Sequence, residues 1–215
     1  MGRTILITGA SRGIGRASAI AAGRLGWSVG VNYAGNRAAA EATVAAVQAA
    51  RGRALAIRGD VAAEAEVIAM FDAVRALGPL DGVVVNAGIV APAQTLAEMS
   101  VERMRRIFDV NLFGAYLAAR EAARRLARSR GGQGGAVVFV SSIAATLGAP
   151  NEYVDYAGAK GALDTLTRGL AKELGPEGVR VNAVRPGIID TEIHASGGRP
   201  ERVAQIGATA PLGRA

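Results

Sequence analysis

Residues Thr4–Gly15 read TILITGASRGIG, and Arg16–Leu25 continue as RASAIAAGRL. The run Thr4–Thr8, aliphatic or β-branched throughout, predicts a buried strand. Alanines and Ile20 then recur at helical spacing. Between them lies the turn Thr8-Gly9-Ala10-Ser11-Arg12-Gly13-Ile14-Gly15. Its small residues let the chain reverse tightly and let a diphosphate sit against the helix N-terminus. There the unpaired N–H groups and the dipole favour an anion. The glycine spacing is T-G-x-x-x-G-x-G rather than G-x-G-x-x-G. Alone, such a loop also serves as a structural turn. The strand before it and the helix after it give the loop its meaning.

The same alternation runs along the chain. Further strands are predicted at Ser28–Asn32, Ala54–Arg58, Gly82–Asn86, Ala136–Ser141 and Val179–Val184. Most are nearly continuous hydrophobes, as in strands buried on both faces. Helices are predicted at Ile14–Leu25, Arg37–Ala50, Glu64–Leu77, Val101–Arg128 and Asp155–Leu174. Strand–helix–strand units of this kind predict a single α/β domain over residues 1–215, a doubly wound parallel sheet covered on both sides. The segment Gly131–Gly135 (GGQGG) reads as a loop before the fifth strand.

Composition excludes several chemistries. The 215 residues contain no cysteine, so thiolate catalysis, cysteine-ligated zinc and disulfides are out. A single histidine, His194, excludes a multi-histidine metal site, and no metal is expected. His194 itself reads as a solvated loop residue. The formal charge is +7, but the arginines are scattered and only 4% of residues are aromatic. No stacking platform for nucleic acid is expected. The densest group, Arg120, Arg124, Arg125, Arg128 and Arg130, reads as one solvated helix flank near a C-terminus. No apolar run reaches membrane-spanning length and no signal peptide is read at Met1, so the expected location is cytoplasmic. Only two of the 25 basic residues are lysine, Lys160 and Lys172.

Lys160 lies four residues after Tyr156, on one helix face with it. An ammonium beside a phenol stabilises the phenolate, and the sequence therefore predicts a tyrosine lowered toward neutrality as an acid/base. Ser142, at the end of the fifth strand, is placed to polarise a substrate oxygen, or to cap a helix. Asn111, within a predicted helix, marks a bend or water site, or is an ordinary polar residue. Tyr153 reads as a wall or helix-entry residue. Asp60-Val61 and Asn86-Ala87-Gly88 follow strands three and four, where ligands bind in open parallel sheets, and each alone also fits a helix cap or turn. The second strand ends Asn32-Tyr33-Ala34-Gly35-Asn36-Arg37 without the acid that bonds the ribose hydroxyls of NAD. Arg12 and Arg37 are placed to approach a 2′-phosphate, which favours NADP over NAD. Arg37 also fits a solvated first-turn residue.

Taken together these residues resemble the short-chain dehydrogenase/reductase family from Arg3 to about Leu212, in the family's order. The resemblance implies a Rossmann fold and a carbonyl/secondary-alcohol oxidoreductase using NADP, with NAD the alternative. It implies Tyr156 as general acid/base and Lys160 as the residue that lowers its pKa and holds the nicotinamide ribose. It implies Ser142 on the substrate oxygen and Asn111 anchoring a water relay. Gly9, Ser11, Arg12, Gly13, Ile14 and Gly15 would cradle the diphosphate and adenosine side. Asn32, Tyr33 and Arg37 would flank the adenosine, and Asp60 and Val61 the adenine. Asn86, Ala87 and Gly88 would line the cofactor. Pro186, Gly187, Ile189 and Thr191 would pack near the nicotinamide. Residues 190–210 resemble a substrate lid. Asn151–Tyr156 and Asp190–Gly198 look like a bacterial subgroup of sugar or sugar-alcohol dehydrogenases, and the outline also resembles the β-ketoacyl-carrier-protein reductases. A small-molecule carbonyl or alcohol is the implied partner, and a homo-oligomer, tetramer or dimer, the implied assembly. Family members continue past Pro211–Arg214 with a further helix and a final strand, which these 215 residues do not reach.

Overall fold

The strands take their order from which faces are apolar. In β1 (Thr4–Ile7), Ile5 and Ile7 point to one side and Leu6 to the other. The first pair joins Val29 and Val31 of β2 (Ser28–Tyr33) in a core cluster under α1 (Gly13–Arg24) and α2 (Arg37–Ala49). Leu6 joins a second cluster on the opposite face with Phe71, Phe139 and Leu163. These side chains come from α3 (Glu64–Ala73), β5 (Gly135–Val140) and α7 (Val154–Leu174). Phe71 and Phe139 are fully buried, so truncating either to alanine would cost about 3–5 kcal/mol.

The computed structural model describes residues 2–215. With β3 (Arg53–Arg58), β4 (Gly82–Val85) and β6 (Val179–Val184), these residues form a six-stranded parallel sheet in the order β3-β2-β1-β4-β5-β6. The register pairs Ile5 with Val29 on one side and with Gly82 on the other. The chain reverses direction across the sheet between β1 and β4, which opens a crevice at the strands' carboxyl ends. Among the described residues no helix is long and apolar enough to cross a membrane.

Two expectations need correction. The stretch Val101–Arg128 is not one helix. It is α4 (Val101–Phe108), a π-helical turn (Asp109–Phe113) and α5 (Gly114–Leu126), followed by a separate 3-10 turn at Arg128–Arg130. The π turn is centred on Asn111, whose amide donates to the Ile107 carbonyl at 2.9 Å, competing with the helix's own ladder. The arginines that follow are not one solvated flank. Arg120, Arg124 and Arg125 all pair with Glu121, a carboxylate only 2% exposed, and Arg125 and Arg120 extend to Asp72 and Glu64 of α3. The cluster ties α5 to α3. Beyond α6 (Ala144–Leu147) and α7, the chain ends in two short helices, α8 (Ile193–Ser196) and α9 (Arg202–Gly207).

Candidate active site

The crevice is a cavity of about 700 Å³ running from the glycine-rich turn to α9. The turn forms one wall. Thr8 organises it from beneath, its hydroxyl accepting from the backbone N–H groups of Asn86 and Ala87 at 2.9 and 3.0 Å. The Asn86 amide donates to the carbonyls of Thr8 and Gly9. Gly15 is not on the cavity surface but is required beneath it: a Cβ there would lie 2.5 Å from the Gly9 carbonyl and 2.6 Å from the Asn86 amide. Arg12 stands at the N-cap of α1 with no side-chain cap bond, and the first turn carries no acid. The helix therefore presents free N–H groups and its dipole to the cavity, flanked by Ser11, Arg12, Gly13 and Ile14. This fits an anionic diphosphate.

The end of the cavity where adenosine is expected lies between the ends of β2 and β3. Tyr33, Ala34, Gly35 and Asn36 line it, with no carboxylate among them. Asn32 borders the cavity, but its polar atoms are committed to the protein. Its oxygen accepts from Gly9 N–H at 3.0 Å and its amide donates to the Gly59 carbonyl at 2.9 Å. Asn32 thus staples the turn to β3. Arg37 lies outside the cavity lining, exposed in the first turn of α2 and 3.5 Å from Glu41. Asp60 and Val61 line the opposite side. The Asp60 carboxylate accepts from Ala62 N–H at 3.0 Å and lies 3.5 Å from Arg106, a lining residue the sequence reading did not select.

The remaining candidates meet at the centre. Lys160 is 3% exposed, and its Nζ donates to the Val140 carbonyl at 2.7 Å and sits 5.5 Å from the Tyr156 ring centroid. Burial pulls the Lys160 ammonium down to about 8, with Asp164 opposing the shift. The expectation of a depressed tyrosine is not met in this geometry. Burial raises the Tyr156 phenol above its usual value, and hydrogen bonding with Ser142 opposes that. The two adjacent serines separate clearly. Ser141 donates to the Lys160 carbonyl at 3.2 Å and is buried, whereas Ser142 accepts from Ala144 N–H and engages Tyr156.

Asn111 is fully buried, and its amide group bonds both backbone groups of Ile89 as well as Ile107. Gly88 lies between Asn111 and the lysine: a Cβ on it would fall 2.7 Å from Asn111 Oδ1 and 3.5 Å from Lys160 Nζ. Ala87, Pro186, Gly187 and Ile189 line the cavity near these residues. Thr191 closes onto the glycine-rich turn, its methyl 3.3 Å from where a Gly13 side chain would begin. The far end is built by residues the sequence reading left aside or assigned no chemistry. Glu152, Tyr153, His194, Arg202 and Ile206 line it. Tyr153 is the N-cap of α7, in keeping with its reading as a wall and entry residue.

Comparison with known proteins gives this arrangement a context. Residues 3–201 match the family described as short chain dehydrogenase. An uncharacterized oxidoreductase of Escherichia coli is 47% identical over 210 residues, covering 97% of this chain and 85% of that protein. An L-rhamnose 1-dehydrogenase (NAD(P)(+)) of a Sphingomonas strain is 41% identical over 217 residues, covering 99% of this chain and 83% of that protein. Among solved structures, a 3-ketoacyl-(acyl-carrier-protein) reductase of Brucella melitensis complexed with NADH superposes with a TM-score of 0.89. It is 30% identical and the match covers 99% of this chain and 84% of that one.

Proposed function

The chain belongs to the short-chain dehydrogenase/reductase family of oxidoreductases, and from that premise we propose that it interconverts a carbonyl and a secondary alcohol using NADP(H), with Tyr156 as the general acid/base. The observation that carries the reading is the convergence of Ser142, Tyr156 and Lys160 on one cavity whose other wall is the uncapped N-terminus of α1.

The nicotinamide ring, when bound, supplies or accepts the hydride. This chain's residues do the rest. The phenol of Tyr156 gives its proton to the carbonyl oxygen in reduction and takes it back in oxidation. Ser142 holds the same oxygen by hydrogen bonding, which keeps the reacting group in reach of the phenol. Lys160 supplies positive charge behind the phenol and, with one N–H on the Val140 carbonyl, keeps two further donors for a cofactor ribose. Asn111 fixes the loop at Ile89 beside the lysine and anchors a water that relays protons to it.

The preference for NADP rests on the missing acid at the end of β2 and on Arg12 at the cavity wall. NAD is the alternative, since the solved Brucella relative holds NADH. Residues 190–210 act as the lid over the substrate end. The partner is a small carbonyl or alcohol, the assembly a homo-oligomer and the location cytoplasmic. Thermal-shift titration with NADPH and NADH, followed by turnover on a panel of ketones, aldoses and polyols, tests the reading. Stabilisation by NADPH above that by NADH and turnover of at least one panel member are expected. No turnover over the whole panel would overturn the reading.

A further inference from the structure

Glu152 lies four residues before Tyr156, and both its side chain and its backbone are held, but by opposite parts of the molecule. The backbone carbonyl accepts from Gln94 N–H at 3.2 Å and from Arg103 Nη2 at 3.3 Å. Arg103 also donates to Asp155 at 3.0 Å, and Asp155 accepts from the Tyr156 N–H at 2.9 Å. The entry to the tyrosine helix is therefore fixed to α4 and to the loop after β4 without any help from the Glu152 side chain.

That side chain points the other way. Its Oε1 accepts from Arg199 at 2.6 Å, and its Oε2 accepts from Arg202. The Arg202 guanidinium also stacks on the Tyr153 ring, 5.0 Å from the centroid. Arg199 in turn donates to Gln205 at 3.0 Å and to Glu201 at 3.3 Å, and its N–H bonds the His194 carbonyl at 2.9 Å. One carboxylate on a fixed base thus grips both short helices of residues 190–210. Helices of four and six residues have no stability of their own and take their position from such contacts.

We propose that Glu152 is a positioning residue that pins this segment over the cavity through Arg199 and Arg202, so that retention of substrate depends on the Glu152 charge while proton transfer at Tyr156 does not. The inference rests on the reading of residues 190–210 as the lid over the substrate end. Glu152 and Arg202 lie on the cavity wall, and their side chains are 25% and 16% exposed, so the pair is only partly screened by water.

The test compares Glu152→Gln with the unchanged chain. Gln keeps the shape and removes the charge. Amide hydrogen exchange across residues 193–209 should quicken about tenfold, and KM for the substrate found on the panel should rise by a similar factor. Both kcat and the NADPH Kd should stay within about twofold. Arg202→Gln should reproduce the pattern, and it carries the test if Glu152→Gln does not fold. Unchanged exchange in the lid, or a fall in kcat with KM unchanged, would overturn the proposal. If the unchanged chain turned over no panel member, the proposed function would fail, while the exchange comparison would still decide the latch.

Discussion

The Lys160 ammonium donates to the Val140 carbonyl at 2.7 Å, which fixes the amine at the carboxyl end of β5 beside the phenol it serves. This placement costs stability. Burial lowers the lysine to about 8, so between about pH 8 and the unfolded value of 10.5 the folded chain binds fewer protons than the unfolded one. Stability therefore rises with pH across that window, and below it the cost of the buried charge is fully present. Lys160→Met should stabilise the fold at pH 7 by roughly 1–3 kcal/mol, a gain that shrinks toward zero near pH 10.5. Urea unfolding of both proteins at the two pH values measures this.

Gly88 should not tolerate a side chain. A Cβ would fall 2.7 Å from Asn111 Oδ1, and Asn111 is held by three backbone bonds and cannot swing away. Gly88→Ala is expected to cost roughly 1–3 kcal/mol, the usual range for overpacking, and to lower turnover through displacement of Asn111 and Lys160. Denaturant midpoints and kcat measured on the same preparation check both effects.

Much of this was legible in the sequence because it is local. The six β-branched runs became the six strands with no end shifted by more than one residue, and in the interior strands β1, β2 and β4 burial on both faces leaves little choice of residue. Tyr156 and Lys160 were legible because a spacing of four fixes a shared helix face. The division of Val101–Arg128 was only half visible. Asn111 signalled a disturbance, but its bonds to Ile89, 22 residues away, are what hold the π turn. The Glu152 latch was not legible. Its partners Arg199 and Arg202 lie 47 and 50 residues on, in a chain with many arginines and no local rule for choosing among them. The raised tyrosine was missed because spacing reports the neighbouring charge and not the depth of burial.

Arg12 and Arg37 should part company in cofactor choice. Arg12 lines the cavity at the N-cap of α1, whereas Arg37 stands outside the lining and faces Glu41 at 3.5 Å. Arg12→Ser is expected to weaken NADPH binding about fivefold to tenfold and to leave NADH within about twofold, because only the former carries a 2′-phosphate. Arg37→Ser should have the smaller effect. Titration calorimetry with both nucleotides reads the difference.

The most direct test of the account is Tyr156→Phe, which removes one hydroxyl from a half-buried ring. Turnover of the substrate found on the panel should fall by about 10²–10⁴, the range for a lost general acid, while NADPH affinity stays within about twofold. A variant that binds NADPH normally and keeps full turnover would contradict the assignment of Tyr156 as the acid/base.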